Sequence, residues 1–169
     1  MDIVKLQIQK KRKELLFLFS KVYSGGLRGI DGYVVQVEAD VSDGLPGFYM
    51  VGSLASEVRE AEERVRTAMR NAGFHLSARK ITVNLSPANV RKEGTACDLP
   101  VAIAVLAAYG IVMPSGLKQT GFLGELGLDG KIKPVRGVLS MVLAMAEKGL
   151  ERCFLPEENV EEGVAADCM

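Results

Sequence analysis

Two stretches of the chain alternate between apolar and polar side chains. In residues 33–41, Val35, Val37, Ala39 and Val41 fall on one side of an extended backbone, and Gln36, Glu38 and Asp40 on the other. A two-residue period of this kind predicts a half-buried antiparallel strand. Ile81, Val83 and Leu85 alternate with Thr82, Asn84 and Ser86 in the same way. Residues 19–23 predict an earlier strand, with Gly25 and Gly26 as its turn. Residues 43–47, Asp-Gly-Leu-Pro-Gly, have turn chemistry, and residues 48–51 would resume as a strand closing a hairpin-like unit.

Elsewhere the period is helical. Val58, Ala61, Val65 and Ala68 share one face of a helix that Ser53 or Ser56 would cap and that Gly73 would end. Glu60 to Arg64 and Glu63 to Arg66 have the spacing of exposed ion pairs. Residues 99–109 are apolar nearly all round, which requires burial on every side. Asp98 is the expected cap and Pro100 is tolerated in the first turn. Residues 122–126 predict a strand, 128–131 a tight turn and 131–135 its return. A helix over 137–148 would turn Val138, Met141, Val142 and Met145 inward. A short strand at 153–155 and an acidic helix over 157–166 complete the series. Hairpins mixed with helices predict an α+β (mixed α/β) fold, a mixed sheet packed by helices, rather than a doubly wound parallel sheet.

The chain has 169 residues, enough for one domain. Residues 18–169 are assigned to it. Residues 1–17, basic and polar before a short apolar run, are assigned to an N-terminal extension expected to be disordered. Charge balances at 21 basic against 21 acidic residues, so only a local patch can favour nucleic acid. Arg64, Arg66, Arg70, Arg79 and Lys80 are one such set, read as a solvated face because acids interleave the helix. The apolar run 101–108 falls far short of the roughly 20 residues of a membrane span. With no secretory signature, a cytoplasmic chain is expected. Cys97, Cys153 and Cys168 form no C-x-x-C pair and suggest neither a disulfide framework nor a zinc site. His75, the single histidine, follows a helix end, a common structural position.

Candidate chemistry concentrates in residues 79–100, which read as a strand, a charged glycine loop and the start of a buried helix. Asn89, Arg91, Lys92 and Glu93 are the candidate nucleic-acid or partner contacts, with Arg91 and Lys92 toward phosphate. Against that, Asn89 and Glu93 can simply tie the loop. No P-loop is present: residues 124–131 imitate one with the wrong spacing, and Ile132 stands where a hydroxyl belongs. The chain has no G-x-G-x-x-G after a strand, no H-E-x-x-H and no G-x-S-x-G.

Ser20-Lys21-Val22-Tyr23-Ser24-Gly25, Ser42-Asp43-Gly44-Leu45-Pro46-Gly47-Phe48, Glu63-Arg64-Val65-Arg66, Arg91-Lys92-Glu93-Gly94, Asp98-Leu99-Pro100, Gly124-Glu125-Leu126 and Pro134-Val135-Arg136-Gly137-Val138-Leu139 occur in that order. Over residues 18 to about 165 this series closely resembles the N-terminal domain of the magnesium-chelatase-like AAA+ proteins, the ComM/YifB family of bacterial competence-related proteins. The resemblance implies a parent in which this domain precedes an AAA+ ATPase module, the whole being an ATP-driven ring acting on branched DNA. It implies as partners the parent's own ATPase module, further copies in a homo-oligomeric ring, and DNA, with no membrane. ATP and magnesium would serve the downstream module, and this segment would carry no cofactor and no metal. Because Met169 precedes any such module, the chain is expected to be a piece of a longer protein.

The domain is also similar to the proteolytic domain of Lon-type proteases, which carry a Ser–Lys dyad. Aligned on Lys92-Glu93-Gly94, the serine position is Ala96. Aligned on Gly124-Glu125 through Gly137, the lysine position is Leu139. The resemblance therefore implies a Lon-like scaffold that is not an enzyme. Two alternatives stand beside it: an active peptidase using Cys97 or Ser140, and a nucleotide-binding module.

Overall fold

The computed structural model describes residues 18–168. Its main sheet has six strands in the order β3-β4-β2-β1-β5-β8. The strands are β1 (Phe19–Arg28), β2 (Asp31–Ser42), β3 (Gly47–Val51), β4 (Lys80–Ser86), β5 (Thr120–Phe122) and β8 (Arg152–Phe154). A separate hairpin joins β6 (Glu125–Leu126) to β7 (Ile132–Lys133). The helices are α1 (Ser56–Arg59), α2 (Ala61–Asn71), α3 (Asp98–Ala108), α4 (Val138–Glu147) and α5 (Val160–Val164). The α+β reading holds: β1/β2 and β2/β4 are antiparallel, whereas β3/β4, β1/β5 and β5/β8 are parallel. The N-terminal extension, residues 1–17, lies outside the described residues.

The alternation in β2 does what it predicts. Val35, Val37, Ala39 and Val41 are buried in the main core with Val83 and Leu85 of β4 and the apolar length of α3. On this face Ser20 of β1 donates its hydroxyl to the Ala104 carbonyl of α3 at 2.6 Å. Val58, Ala61, Val65, Ala68 and Met69 of α1 and α2 are buried as well, and α2 packs against α3. The opposite face is covered by α4, through Val138, Met141 and Met145. Beyond that helix, Gln36, Glu38 and Asn84 make a polar ladder, with Glu38 accepting from Gln36 at 2.7 Å and from Asn84 at 2.9 Å.

Several local expectations are corrected. Gly25 and Gly26 do not form a turn. They lie inside a ten-residue β1, and a Cβ on Gly25 would sit 2.6 Å from the Met141 Cβ, so this glycine lets α4 approach the sheet. β3 does not close a hairpin with β2. The available edge of β2 is taken by β4, so β3 adds to the outside of β4, in parallel from Gly47↔Lys80 to Val51↔Asn84. The helix expected from residue 56 to 72 is interrupted at Glu60, and Ser56 bonds the Glu57 carboxylate at 3.2 Å instead of capping. The strand over 122–126 is two strands, because Gly124 turns the chain out of the main sheet into the β6–β7 hairpin.

Asp98 is not a cap either. It is the first residue of α3, fully buried, and takes two hydrogen bonds from Arg64 of α2, Nε at 2.7 Å and Nη2 at 3.0 Å. The Leu126 amide of β6 donates to the same carboxylate at 3.2 Å, and Arg64 also donates to the Glu57 carbonyl at 2.8 Å. One carboxylate therefore ties α1, α2, α3 and β6 together. Burial pushes the Asp98 carboxyl above its ordinary value, against the pull of the guanidinium, while the hydrogen bond to Asp98 raises Arg64.

Two consequences can be measured. A Cβ on Gly32 would fall 1.9 Å from the Ser140 carbonyl oxygen of α4, a backbone atom that cannot swing aside. Gly32→Ala is expected to lose about 3 kcal/mol in urea unfolding, the upper range for overpacking, whereas Gly116→Ala, with open space around it, stays near wild type. Arg64→Met leaves the buried carboxylate without its cation, a change that costs about 3–5 kcal/mol. A carboxyl whose folded pKa is raised contributes stability that is full below its unfolded value and lost as pH rises through the folded one. The loss in Arg64→Met is therefore expected to be smaller at pH 5 than at pH 8.

Candidate functional site

Residues 87–97 leave the sheet at the end of β4 and reach the start of α3 along the α1 entry. A parallel bridge between Leu54 and Lys92 holds the loop's middle. Its two backbone bonds run from the Lys92 amide to the Ser53 carbonyl at 2.8 Å and from the Ala55 amide to the Lys92 carbonyl at 3.0 Å. Farther along, the Gly94 amide donates to Glu57 at 3.3 Å, and the Thr95 hydroxyl donates to Glu125 at 2.6 Å. The amide bonds from its own backbone and from Gly94 hold the Glu57 carboxyl below the usual range. At the helix start, Leu99 donates to the Gly124 carbonyl at 3.0 Å and Gly124 donates to the Ala96 carbonyl at 3.1 Å. The loop is thus fixed on both flanks by backbone bonds.

The four candidate contact residues do not share one environment. Asn89, Arg91 and Glu93 are exposed. Arg91 lies 3.7 Å from Glu93, so the outward cation has an acid beside it. Lys92 is removed from the contact set: it is 1% exposed, and its ammonium donates to the Pro87 and Val90 carbonyls of its own loop. Burial lowers its pKa. Read in sequence beside Arg91, it passes for a surface cation. Only the loop's curvature, which brings two carbonyls around it, assigns it inward.

Between this loop, the C-terminal end of β1 and the segment before α4 lies a cleft of about 550 Å³. Gly94, Thr95, Ala96, Glu125, Arg136 and Met141 are among its walls. Ala96 packs toward the second core with Met141, and Leu139 is half-buried near the start of α4, its amide donating to Glu162 at 3.1 Å. Cys97 faces the other way, into the main core, 3.7 Å from the Ser24 hydroxyl. Burial pushes its thiol up to about 11. Tyr33, whose hydroxyl donates to the Arg91 carbonyl at 3.3 Å, is pushed up to about 12 by burial first and then by Cys97 and Glu93. Cys153 is half-buried against the Met141–Met145 cluster, its thiol also raised by burial, to about 12. Among the described residues no cluster of three or more His, Cys, Asp or Glu side chains is placed to hold a metal ion. Likewise, no helix among them is long and apolar enough to cross a membrane.

His75 and most of the basic set lie elsewhere. Arg66, Arg70, His75 and Arg79 line a second groove, at the β3 edge of the sheet. Arg64, counted with them in sequence, is the internal partner of Asp98.

The chain is 43% identical over 141 residues to the competence protein ComM of Haemophilus influenzae, covering 83% of this chain and 28% of that protein. It is 38% identical over 143 residues to the uncharacterized protein YifB of Escherichia coli, covering 85% of this chain and 28% of that one. To the Lon protease of Mycolicibacterium smegmatis it is 28% identical over 140 residues, 78% of this chain and 17% of that enzyme. The chain thus spans less than a third of the length of these curated relatives. Residues 37–159 match the family model described as subunit ChlI of Mg-chelatase, and with most of its length inside that match the chain belongs to this magnesium-chelatase-like family.

Proposed function

We propose that this segment is a non-catalytic, Lon-like N-terminal domain of an ATP-driven AAA+ protein, serving assembly of a homo-oligomeric ring and contact with DNA or a protein partner. In this reading ATP and magnesium act in the ATPase module of the parent, and the domain has no cofactor of its own. The observation that carries it is the chemistry of the cleft at Gly94-Thr95-Ala96. Ala96 and Leu139 stand at the positions where Lon-type enzymes keep serine and lysine, and neither side chain can attack or accept a proton. Nucleophilic catalysis needs a thiol or hydroxyl beside a base, or one with a lowered pKa. Cys97 has the reverse, a buried thiol raised to about 11. The amine whose charge acts on Cys97, Lys92, is held by two carbonyls. In the DNA-contact reading, the exposed Arg91 and Asn89 are the loop's remaining candidate contacts.

Three measurements test this. Fluorescently labelled casein is expected to survive incubation with the protein. Turnover that disappears in Cys97→Ala or Ser140→Ala would replace the scaffold reading by the peptidase one. In a Cys153→Ser/Cys168→Ser background, Cys97 of the folded protein is expected to react with a disulfide reagent at pH 8 about a hundredfold more slowly than in urea, from the loss of thiolate alone. Lys92 and Arg91 should separate in the same way. Lys92→Ala leaves the Val90 carbonyl without its donor and the Pro87 carbonyl with only the Val90 amide at 3.4 Å, and is expected to lower stability by about 1–3 kcal/mol. Arg91→Ala, on the surface, is expected to stay within about 0.5 kcal/mol of wild type, both read from urea titrations.

A further inference from the structure

Among the described residues, several cations gather at the β3 edge of the sheet. There the stretch from Phe74 to Arg79, between α2 and β4, runs beside β3 and forms a groove of about 390 Å³. Three arginines line it, Arg66, Arg70 and Arg79, together with His75. No aspartate or glutamate is among its lining residues. The cleft beside the Ala96 loop differs, since Glu93 and Glu125 line it with Arg136.

The arginines are available. Arg66 is 50% exposed and Arg79 40%. Their carboxylate neighbours sit at 3.7–3.9 Å, Glu62 and Glu63 for Arg66 and Asp43 for Arg79. Loose pairs of this kind, with Asp43 97% exposed and Glu63 74%, are worth little in water. Among the described residues no carboxylate lies within ion-pair distance of Arg70 or Lys80. The helix end that might repel an anion is closed off. The Gly73 amide donates to the Arg70 carbonyl at 3.1 Å and the Phe74 amide to the Met69 carbonyl at 2.9 Å.

The groove also carries an aromatic face, Phe74, 37% exposed on its wall. Tyr49, with the Lys80 ammonium 5.7 Å from its ring centre, alternates along β3 with the groove-lining Phe48 and is not part of the wall. The backbone of the 74–79 stretch bonds inward through its carbonyls, Ser77 accepting from the Tyr109 hydroxyl at 2.7 Å and Arg79 from the Gly47 amide at 3.3 Å.

We propose that this groove is a binding site for a single strand of nucleic acid, with Arg66, Arg70 and Arg79 contacting phosphates and Phe74 offering a stacking surface to an unpaired base. Cations lining a groove with no acid on its walls attract the backbone, and a flat apolar ring takes up a base only where it is not already stacked in a duplex. An acidic peptide would meet the arginines but make no use of the ring. The inference rests on the reading of this domain as a DNA contact and gives that contact a place other than the Asn89–Glu93 loop.

The test is fluorescence anisotropy of a labelled oligothymidylate titrated with the whole chain at several salt concentrations. Three phosphate contacts predict a slope of log affinity against log salt near about −2, at roughly −0.7 per contact on a single strand. Arg70→Ala/Arg79→Ala is expected to weaken binding at least about tenfold and bring the slope to about −0.7. Phe74→Ala is expected to weaken binding about fivefold or more with the slope unchanged, the loss of one stacked base. Both variants alter exposed residues, and their urea midpoints check that the fold is retained. Binding that survives the groove variants and is lost in Arg91→Ala would overturn this site while leaving the DNA-contact reading in place. Failure of the wild-type chain to bind any strand at low salt would overturn both. Equal affinity for duplex, or displacement by polyglutamate with no effect of Phe74→Ala, would overturn the single-strand assignment.

Discussion

The buried Asp98 carboxylate is the constraint around which this fold closes. It sits at the first turn of a helix that is apolar on every side, where an unpaired charge would be prohibitive. Three donors from two elements meet it: Nε and Nη2 of Arg64 and the amide of Leu126. An arginine suits this role because its planar fork satisfies both carboxylate oxygens and does not deprotonate. The result is directional in a way that hydrophobic packing is not. It fixes the rotation of α3 against α2 and brings β6 to the head of the helix, so the loop from residue 87 to 97 and the cleft beside it have a defined shape. Buried ion pairs are poor sources of net stability, and this one is better understood as setting the register among elements that apolar contacts alone would leave free to slide.

With the helix head so fixed, the loop becomes an internal structure more than an exposed reader. Lys92 shows why. Its chain lies within a turn whose carbonyls, at Pro87 and Val90, have no helix or strand to bond. The Pro87 carbonyl has otherwise only the long bond from the Val90 amide at 3.4 Å, an unmet acceptor carries a desolvation cost, and the ammonium meets both carbonyls at once. The same loop leaves Arg91 outside but gives it Glu93 as a neighbour. A segment that is rich in charge on paper is therefore electrostatically quiet in space.

What could be read from sequence, and what could not, divides along the same physical line. The faces of β2 and β4 were legible because one side of each is buried and the other is not, a local property that the two-residue period records directly. The all-round apolar character of α3 likewise announced its burial. Pairing order was not legible: nothing in residues 43–51 distinguishes a strand that folds back on β2 from one that crosses to the far side of β4. Nor does a glycine pair reveal that it lies within a strand under the methionines of α4. The roles of Arg64 and Asp98 were hidden for another reason. They are separated by 34 positions, and Arg64 stands among glutamates and arginines on a helix where its neighbours do face water. The positions Ala96 and Leu139 drew attention only through likeness to a protease. By themselves they are two small or apolar residues in an apolar setting.

Sorting the cations by location also changes how a chain of zero net charge can be read. Arg64 is internal and paired with a carboxylate, and Lys92 is internal and hydrogen-bonded to carbonyls. Arg91 is external, beside Glu93. At the β3 edge stands a set drawn from three different elements, α2, the 74–79 stretch and β4, which converge because β3 adds in parallel beyond β4 and leaves α2 to pack alongside. Sequence order scatters these residues among acids. The fold separates them, since Glu60 and Glu63 share the helix with Arg66 and Arg70 but are not among the residues lining the groove. A net charge averages over the whole surface, whereas an anionic strand responds to the local potential of the few residues it meets. The topology that places β3 outside β4, unforeseeable from local pattern, is thus also what gives the molecule a groove whose walls carry arginines and no acid.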